Sequence, residues 1–170
     1  MRQNRILSIA AAAAQLLVGS PSWAEEEMNP AAMAKALQQA TLPLEKATKV
    51  SEREGKPISA KYEIENGALQ LSIYTMKGDR FSELIVDHNS GAVAKDQWIT
   101  EGDDLKAAQA QSAAMAKAKT TLDVATENAV KANPGYRAVS IVPKLEGGRP
   151  TALVILMKGE DVKKANEKLD

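Results

Sequence analysis

Alternating apolar and polar residues predict antiparallel strands in the middle of the chain. The stretch "ISAKYEIEN" places Ile58, Ala60, Tyr62 and Ile64 on one side and only polar or charged residues on the other. A period of two with one polar face is typical of a strand that buries one side against a core. Asn66-Gly67 follows and is a strong hairpin signal, so the chain is predicted to return as a second strand.

Two more turns and a third strand are predicted in the first half of the chain. "ALQLSIYTM" returns from the hairpin, and Lys77-Gly78-Asp79 predicts the next reversal. "RFSELIVD" predicts a strand whose apolar pattern stops at Val86 and resumes at Ala92-Val93. The interruption, Asp87–Gly91, has the composition of a turn, because Asp bonds nearby amides, Asn tolerates left-handed geometry and Gly supplies positive φ.

Helices are predicted ahead of the strands in this half. Asn29 followed by Pro30 has the pattern of an N-cap and a first helical proline, and the alanine-rich stretch behind them favours helix. A second short helix is predicted to carry Leu44, Ala47 and Val50 on its core side.

The second half is also predicted to begin with two helices. Asp103 or Asp104 is expected to cap the first, and Thr120 with Asp123 resembles a capping box for the second. "YRAVSIVPKLE" predicts a strand, in which Pro143 indicates an edge strand or a bulge. "TALVILM" predicts the returning strand, and "GEDVKKANEKLD" predicts a charged terminal helix.

Three short sequence matches recur in the same order and indicate an internal repeat. The matching pairs are "AAMAKA" at 31–36 and 113–118, Leu44–Val50 and Leu122–Val130, and "MKG" at 76–78 and 157–159. Their offsets of 82, 78 and 81 residues indicate a duplicated unit of about 80 residues. The predicted fold is α+β, with two helix-plus-antiparallel-sheet repeats of which the second is truncated.

The sequence predicts three segments. Residues 1–24 have the basic start, apolar run and small-residue end of a signal peptide, with cleavage expected after Ala24. The first repeat is assigned to residues 25–102, and the second, with its terminal helix, to residues 103–170. Export to the periplasm or secretion is therefore expected.

The charge, the apolar runs and the cysteine content of the chain limit the classes of binding partner and the sources of stability that the sequence supports. Removal of residues 1–24 takes away Arg2 and Arg5, so the remaining charge is 20 − 22 = −2. A near-neutral chain of mixed signs gives no electrostatic reason to expect nucleic acid or an anionic membrane as a partner. No second apolar run approaches the length of a membrane span. With no cysteine, the chain must be stabilised by packing alone.

The segment Leu44–Lys95 resembles a PepSY domain. That family has a helix, a strand with an acidic–aliphatic run, a hairpin, and a strand ending in Asp-x-x-x-Gly-x-Val. Tyr62–Ile64 and Ile73-Tyr74 are similar to the first two strands, and Asp87, Gly91 and Val93 match the ending. The second half is similar in its helix and two strands, over Leu122–Gly159, but lacks the ending.

The resemblance implies a non-enzymatic α+β module. PepSY domains occur in secreted and periplasmic proteins and in the propeptides of thermolysin-type metallopeptidases. The resemblance implies protein binding, including modulation of a peptidase, and it carries no catalytic residue to this sequence.

His88 is the one histidine of the chain and the natural candidate for a metal or catalytic site. A metal site would combine it with Asp87, and with Asp79 or Asp96. A structural zinc site uses about four ligands at close spacing, usually with cysteine or several histidines, and this chain does not offer them. The turn interpretation explains Asp87–Gly91 without a metal, and it predicts an exposed His88.

Other candidate sites are explained more simply by structure. No serine lies in a Gly-x-Ser-x-Gly setting, and Gly147-Gly148 precedes no helix that could bind phosphate. The acidic pairs Asp103-Asp104 and Glu160-Asp161 are expected at helix starts. The dispersed methionines are expected in the core rather than at a copper site: Met28, Met33, Met76, Met115 and Met157. No catalytic, cofactor or metal site is predicted.

Three functional interpretations follow from these observations. The first is a non-enzymatic protein-binding module whose partner is a protein, with a peptidase as one candidate. The second is a periplasmic carrier or sensor that binds a small ligand or metal in the groove between the repeats. An enzyme is the third. An exposed, unpaired sheet edge would favour the first, and a closed apolar pocket with converging polar groups would favour the second.

Overall fold

The computed structural model describes residues 28–170, so the signal peptide and the cleavage site predicted after Ala24 lie outside the described residues. The helices are α1 (Pro30–Leu37), α2 (Leu44–Ser51), α3 (Gly102–Lys117) and α4 (Leu122–Ala132). The strands are β1 (Lys56–Glu65), β2 (Ala68–Lys77), β3 (Arg80–Val86), β4 (Val93–Ile99), β5 (Arg137–Glu146), β6 (Arg149–Lys158) and β7 (Asp161–Lys168).

All seven strands form one sheet, in the order β4-β3-β2-β1-β5-β6-β7. Each pair of neighbours is antiparallel, so the predicted α+β class with an antiparallel sheet is confirmed. Two-residue turns join β1 to β2, β2 to β3, β5 to β6 and β6 to β7. In the first of these, Asn66 and Gly67 have φ angles of 50° and 80°, the left-handed geometry that a tight hairpin turn requires.

The helix starts agree with the sequence prediction at α1 and differ at α3 and α4. Asn29 Oδ1 accepts a hydrogen bond from the amide of Ala32 at 3.0 Å, as an N-cap does. The N-cap residues of α3 and α4 are Glu101 and Thr121, and neither side chain bonds a helix amide. The predicted capping box at Thr120 is therefore wrong. Asp103 and Asp104, one of which was expected as the cap of α3, lie in the first turn of that helix, where the helix dipole favours them. Asp123, the expected acidic residue of the capping box, lies in the first turn of α4.

The core is shared by both halves of the chain. Helices α2 and α4 pack against each other and against β1 and β5. One buried cluster contains Leu44 and Leu84 from the first half and Leu122 and Leu156 from the second, each at most 2% exposed. Burial of each leucine contributes about 1.5–3 kcal/mol. Neither half can therefore lose its packing without exposing apolar surface of the other.

The predicted C-terminal helix is wrong, because the segment forms strand β7. It pairs with β6 from Lys158↔Asp161 to Thr151↔Lys168. Most β7 side chains are exposed, and Lys, Ala, Asn and Glu are ordinary helix residues, so the local sequence favours helix. Pairing with β6 and burial of Leu169 at 0% exposure override that preference. The second half thus has three strands rather than the two predicted.

The prediction that Pro143 marks an edge strand is also wrong, because β5 lies in the middle of the sheet. The β1–β5 ladder consists only of Ala60↔Ile141 and Lys61↔Ser140. Continuing that register places Pro143 opposite Ile58, where β1 is bulged, so no ladder bond is lost by the missing proline amide. A bulge does occur in β5, at Val139 rather than at the proline.

Candidate functional site

The segment Asp87–Gly91 is a turn, as predicted, between β3 and β4. Asp87 Oδ1 accepts hydrogen bonds from the amides of Asn89 and Ser90, at 3.1 and 2.7 Å, and from Ser90 Oγ at 2.8 Å. Gly91 has a φ of 76°, in the left-handed region that favours glycine. The residue types of this segment are therefore explained by backbone geometry.

The backbone of His88 joins the turn to the connection between α1 and α2. Its carbonyl accepts from the amides of Thr41 and Leu42, at 3.2 and 2.9 Å. Asn89 Oδ1 adds bonds from the amide and hydroxyl of Thr41, at 3.2 and 3.0 Å. His88 is half-buried in this contact, not exposed as the sequence predicted. The hydrogen bonds of His88 and Asn89 therefore hold the turn against the α1–α2 connection.

The Asp87 carboxylate makes the stability of this turn pH-dependent. Hydrogen bonds from Ser90 and then Asn89 hold the pKa of Asp87 below its ordinary value. A depressed folded-state pKa contributes stability that is present above the unfolded pKa and is lost as pH falls through the folded pKa. We expect wild type to exceed Asp87→Asn in unfolding free energy at pH 7, and the gap to shrink by pH 3. Urea titrations at both pH values measure it, and a constant gap would contradict the assignment.

The structure does not bring the other candidate metal ligands to the turn. Asp79 lies in the β2–β3 turn, at the opposite end of β3 from Asp87 and roughly 26 Å away along the strand. Asp96 lies within β4, opposite Leu84. Within residues 28–170, no three His, Cys, Asp or Glu side chains group in a way that could hold a metal ion.

The other candidates from the sequence are dispersed through the fold. Met33, Met115 and Met157 are buried in the core, whereas Met76 Sδ accepts a hydrogen bond from Ser112 Oγ at 2.9 Å and Met28 packs against the core from its margin. Asp103, in the first turn of α3, pairs with Lys106 at 2.8 Å. Glu160-Asp161 lies at the β6–β7 turn rather than at a helix start, and Gly147-Gly148 forms the β5–β6 turn.

A polar network joins β1, β2 and β3 side by side. Glu63 accepts a hydrogen bond from Ser72 Oγ at 2.6 Å and lies 2.5 Å from the ammonium of Lys61. Tyr74 donates its hydroxyl to Glu83 at 3.2 Å. Burial, followed by the charge of Glu83, raises the pKa of Tyr74 far above its ordinary value. The phenol therefore stays protonated and acts as a fixed hydrogen-bond donor in the sheet.

A groove lies at one corner of the sheet. It is formed by the start of β3, the end of β4 and the start of α3. Its volume is about 450 Å³. Trp98 stands on its rim with 56% of its surface exposed, the largest exposure among the bulky apolar residues of the described chain. We call this groove the Trp98 corner, and it is lined by Asp79, Arg80, Phe81, Trp98, Ile99, Thr100, Leu105 and Gln109.

The Trp98 side chain is held in place by a cation–π contact. The guanidinium carbon of Arg80 lies 5.4 Å from the centroid of the Trp98 ring. Such contacts contribute about 0.5–1 kcal/mol at exposed sites. Tryptophan and arginine are the residue types most enriched among those that dominate the binding energy of protein interfaces. The corner therefore combines a pre-positioned aromatic with an apolar floor of Phe81, Ile99 and Leu105.

The two edges of the sheet differ. Strand β7 carries Lys163, Lys164 and Lys168, and lysine on an edge strand opposes pairing with another chain. Strand β4 carries one lysine, Lys95, and the exposed Trp98 is its next-to-last residue. No strand of residues 28–170 pairs with the outer side of β4. The outer edge of β4 is therefore unpaired within the described residues, and it lies beside the Trp98 corner.

Sequence reasoning did not identify this corner. For the segment that contains Trp98, the sequence predicted only that the apolar pattern resumes at Ala92-Val93 after the turn. Leu105 and Gln109, which complete the groove, belong to α3, whose position depends on tertiary packing. The one available signal was that Asp96 and Thr100, two positions before and after Trp98 and therefore on the same side of an extended chain, are both polar, which is typical of an exposed side.

Comparisons with known proteins establish no family for this chain. No sequence profile of a known family matches it, and no curated protein sequence matches it significantly. Among solved structures, it is similar to a "putative lipoprotein" of Clostridium difficile 630, at 14% identity and a TM-score of 0.39, over 75% of this chain and 95% of that one. The PepSY resemblance stays a prediction. Within residues 28–170, no helix is both long and apolar enough to cross a membrane.

Proposed function

We propose that this protein is a non-enzymatic, extracytoplasmic binding module of two PepSY-like units, and that it binds a partner protein at the Trp98 corner. The observation that carries the proposal is Trp98, 56% exposed and stacked on Arg80 beside an apolar groove at an unpaired sheet edge. A water-exposed tryptophan costs solvation free energy that a binding partner would recover. A peptidase is the partner class that the family resemblance suggests.

Matching contacts in the two halves support the repeat. The carbonyl of His88 accepts from two amides at the α1–α2 connection, and the carbonyl of Leu169 accepts from Lys119 and Thr120 at the α3–α4 connection. The ladder pair Ala60↔Ile141 joins residues 81 positions apart, the offset of the "MKG" match. A two-fold relation between the halves accounts for both features.

Truncation of Trp98 is expected to weaken binding of the partner protein more than truncation of an exposed apolar residue outside the corner. A central interface tryptophan typically contributes 2 kcal/mol or more, so Trp98→Ala should weaken binding roughly thirtyfold. The matched control is Val124→Ala, because Val124 is another exposed apolar residue, 42% exposed on α4, and lies outside the corner. Proteins from an extracytoplasmic extract are captured on immobilised residues 25–170 and titrated against each variant.

Two results would contradict the proposal. One is a partner that binds the Trp98→Ala and Val124→Ala variants with equal affinity. The other is a captured protein set that is empty while the chain, at large excess, leaves peptidase activity in the same extract unchanged.

A small-ligand carrier is the second candidate. One observation favours it: the Trp98 corner lies between β3–β4 of the first predicted unit and α3 of the second, where a groove between units was expected. The groove is open rather than closed, which favours a protein partner. A small molecule or metal ion that co-purifies at near one per chain, with no protein retained, would replace the first proposal by this one.

A further inference from the structure

We infer that the partner contributes an extended strand that adds antiparallel to the outer edge of β4. In that strand an apolar residue is followed, after two residues of any kind, by a basic and then an acidic residue. This inference rests on the proposed function and adds the mode of binding and the chemical pattern of the segment that is bound. It follows from the phase of the β4 backbone, from the charges at Lys95 and Asp96, and from the position of the groove.

The backbone phase shows which β4 groups point outward. The two-residue turn between β2 and β3 makes Lys77↔Arg80 a hydrogen-bonded pair. The direction of backbone hydrogen bonding alternates along a strand. The amides and carbonyls of Arg80 and of every second residue after it therefore bond to β2, while those of the residues between them bond to β4. The β4 residues opposite the latter are Lys95, Gln97 and Ile99. The amides and carbonyls of Asp96 and Trp98 therefore point away from the sheet.

The side chains of β4 define a charge pattern for an added strand. Lys95 lies opposite Ile85 and Asp96 opposite Leu84, so the two charges are on opposite faces of the sheet. Neither is in an ion pair within residues 28–170. In an antiparallel addition, a basic residue opposite Asp96 is followed by one opposite Lys95, which should be acidic. The residue three positions before the basic one faces Ile99, which lines the groove.

A second copy of this chain does not satisfy the same pattern. In an antiparallel pair, directly opposed residues lie on the same face of the joined sheet. If two copies of β4 pair by two-fold symmetry, each residue of one copy therefore lies opposite a residue of the other copy whose number differs from its own by an even amount. Lys95 and Asp96 are adjacent, so they cannot oppose each other, and one register places Asp96 against Asp96. Charge complementarity thus favours a foreign strand over self-association.

Synthetic peptides test the pattern directly. The designed peptide has the order apolar–Thr–Val–Lys–Glu within a threonine and valine background, and its control exchanges only the Lys and the Glu. We expect the control to bind residues 25–170 about tenfold more weakly, because two attractive cross-strand pairs become repulsive. The double variant Lys95→Asp with Asp96→Lys should reverse the preference. If the designed peptide does not bind at about 1 mM, or if both peptides bind equally, the inference is wrong.

A proline substitution tests the backbone contribution. Asp96→Pro removes an outward amide and the charge, whereas Asp96→Ala removes the charge alone. Proline is tolerated at an edge position whose amide faces solvent, so the fold should persist, and melting curves check this. We expect the proline variant to bind at least about tenfold more weakly than the alanine variant. Equal affinities of the two folded variants would overturn strand addition.

Amide exchange on the wild-type chain decides the question even if Asp96→Pro does not fold. The amides of Asp96 and Trp98 should be protected only when the designed peptide is bound, while those of Lys95 and Gln97 are protected in both states. Unchanged exchange at Asp96 and Trp98 contradicts the inference. Failure of these tests leaves the proposed function standing if Trp98→Ala still weakens binding of the partner protein. The proposed function itself fails if that variant binds normally, or if no partner protein is captured and peptidase activity stays unchanged.

Discussion

Replacement of Leu84 by alanine is expected to lower the unfolding free energy by about 3 kcal/mol and the Tm by roughly 10 °C. Leu84 is 0% exposed and lies on β3 between its partners Ile73 on β2 and Asp96 on β4. Its removal leaves a cavity that the neighbouring strands can fill only in part. Thermal and urea denaturation, followed by circular dichroism, measure the loss.

The matched variant is Leu156→Ala in the second half of the chain, because Leu156 is also 0% exposed. The shared core predicts that both variants shift one cooperative transition by similar amounts. If each half melted separately, with Leu84→Ala affecting only one of two transitions, then the two halves would be independent domains. That result would contradict the continuous core that joins α2, α4 and the sheet.

Gly91→Val is expected to destabilise the chain by about 1–3 kcal/mol. Gly91 has a φ of 76°, and a β-branched residue in that region is strained. A Cβ there would lie 3.6 Å from both Leu42 Cδ2 and Val50 Cγ2, so the additional methyl groups of valine would collide with these side chains. Gly91→Asn is the matched control, because asparagine tolerates left-handed geometry and should cost less. Urea denaturation compares the two variants.

His88→Ala provides a second reference for the same turn. The hydrogen bonds from Thr41 and Leu42 use the carbonyl of His88, which alanine retains. We therefore expect a change below about 0.5 kcal/mol. If His88→Ala destabilised the chain as much as Gly91→Val, or released a bound metal, the turn interpretation would be wrong.

The elements that the sequence predicted correctly have strong local signals. Asn66-Gly67 determines a hairpin by its backbone preferences, and Asp87–Gly91 determines a turn by side-chain bonds within five residues. Asn29 caps α1 through a bond that spans three positions. In each case the decisive interaction lies within the segment, so no knowledge of tertiary contacts was needed.

The features that the sequence did not predict depend on distant residues. Strand β7 has helix-favouring residues, and its conformation follows from the free edge of β6. Pro143 is accommodated inside the sheet because β1 is bulged opposite it at Ile58, 143 − 58 = 85 residues earlier in the chain. The Trp98 corner requires α3 to lie over the ends of β3 and β4. No local pattern contains these relations.

The most direct test of the central claim, that a partner protein binds at the Trp98 corner, is site-specific photocrosslinking in the producing cell. A photoreactive phenylalanine is placed at Thr100, which lines the groove and leaves Trp98 in place, and in a parallel strain at Val124. We expect one discrete crosslinked protein from position 100 and none from position 124. Crosslinking from neither position, or the same products from both, would contradict the claim.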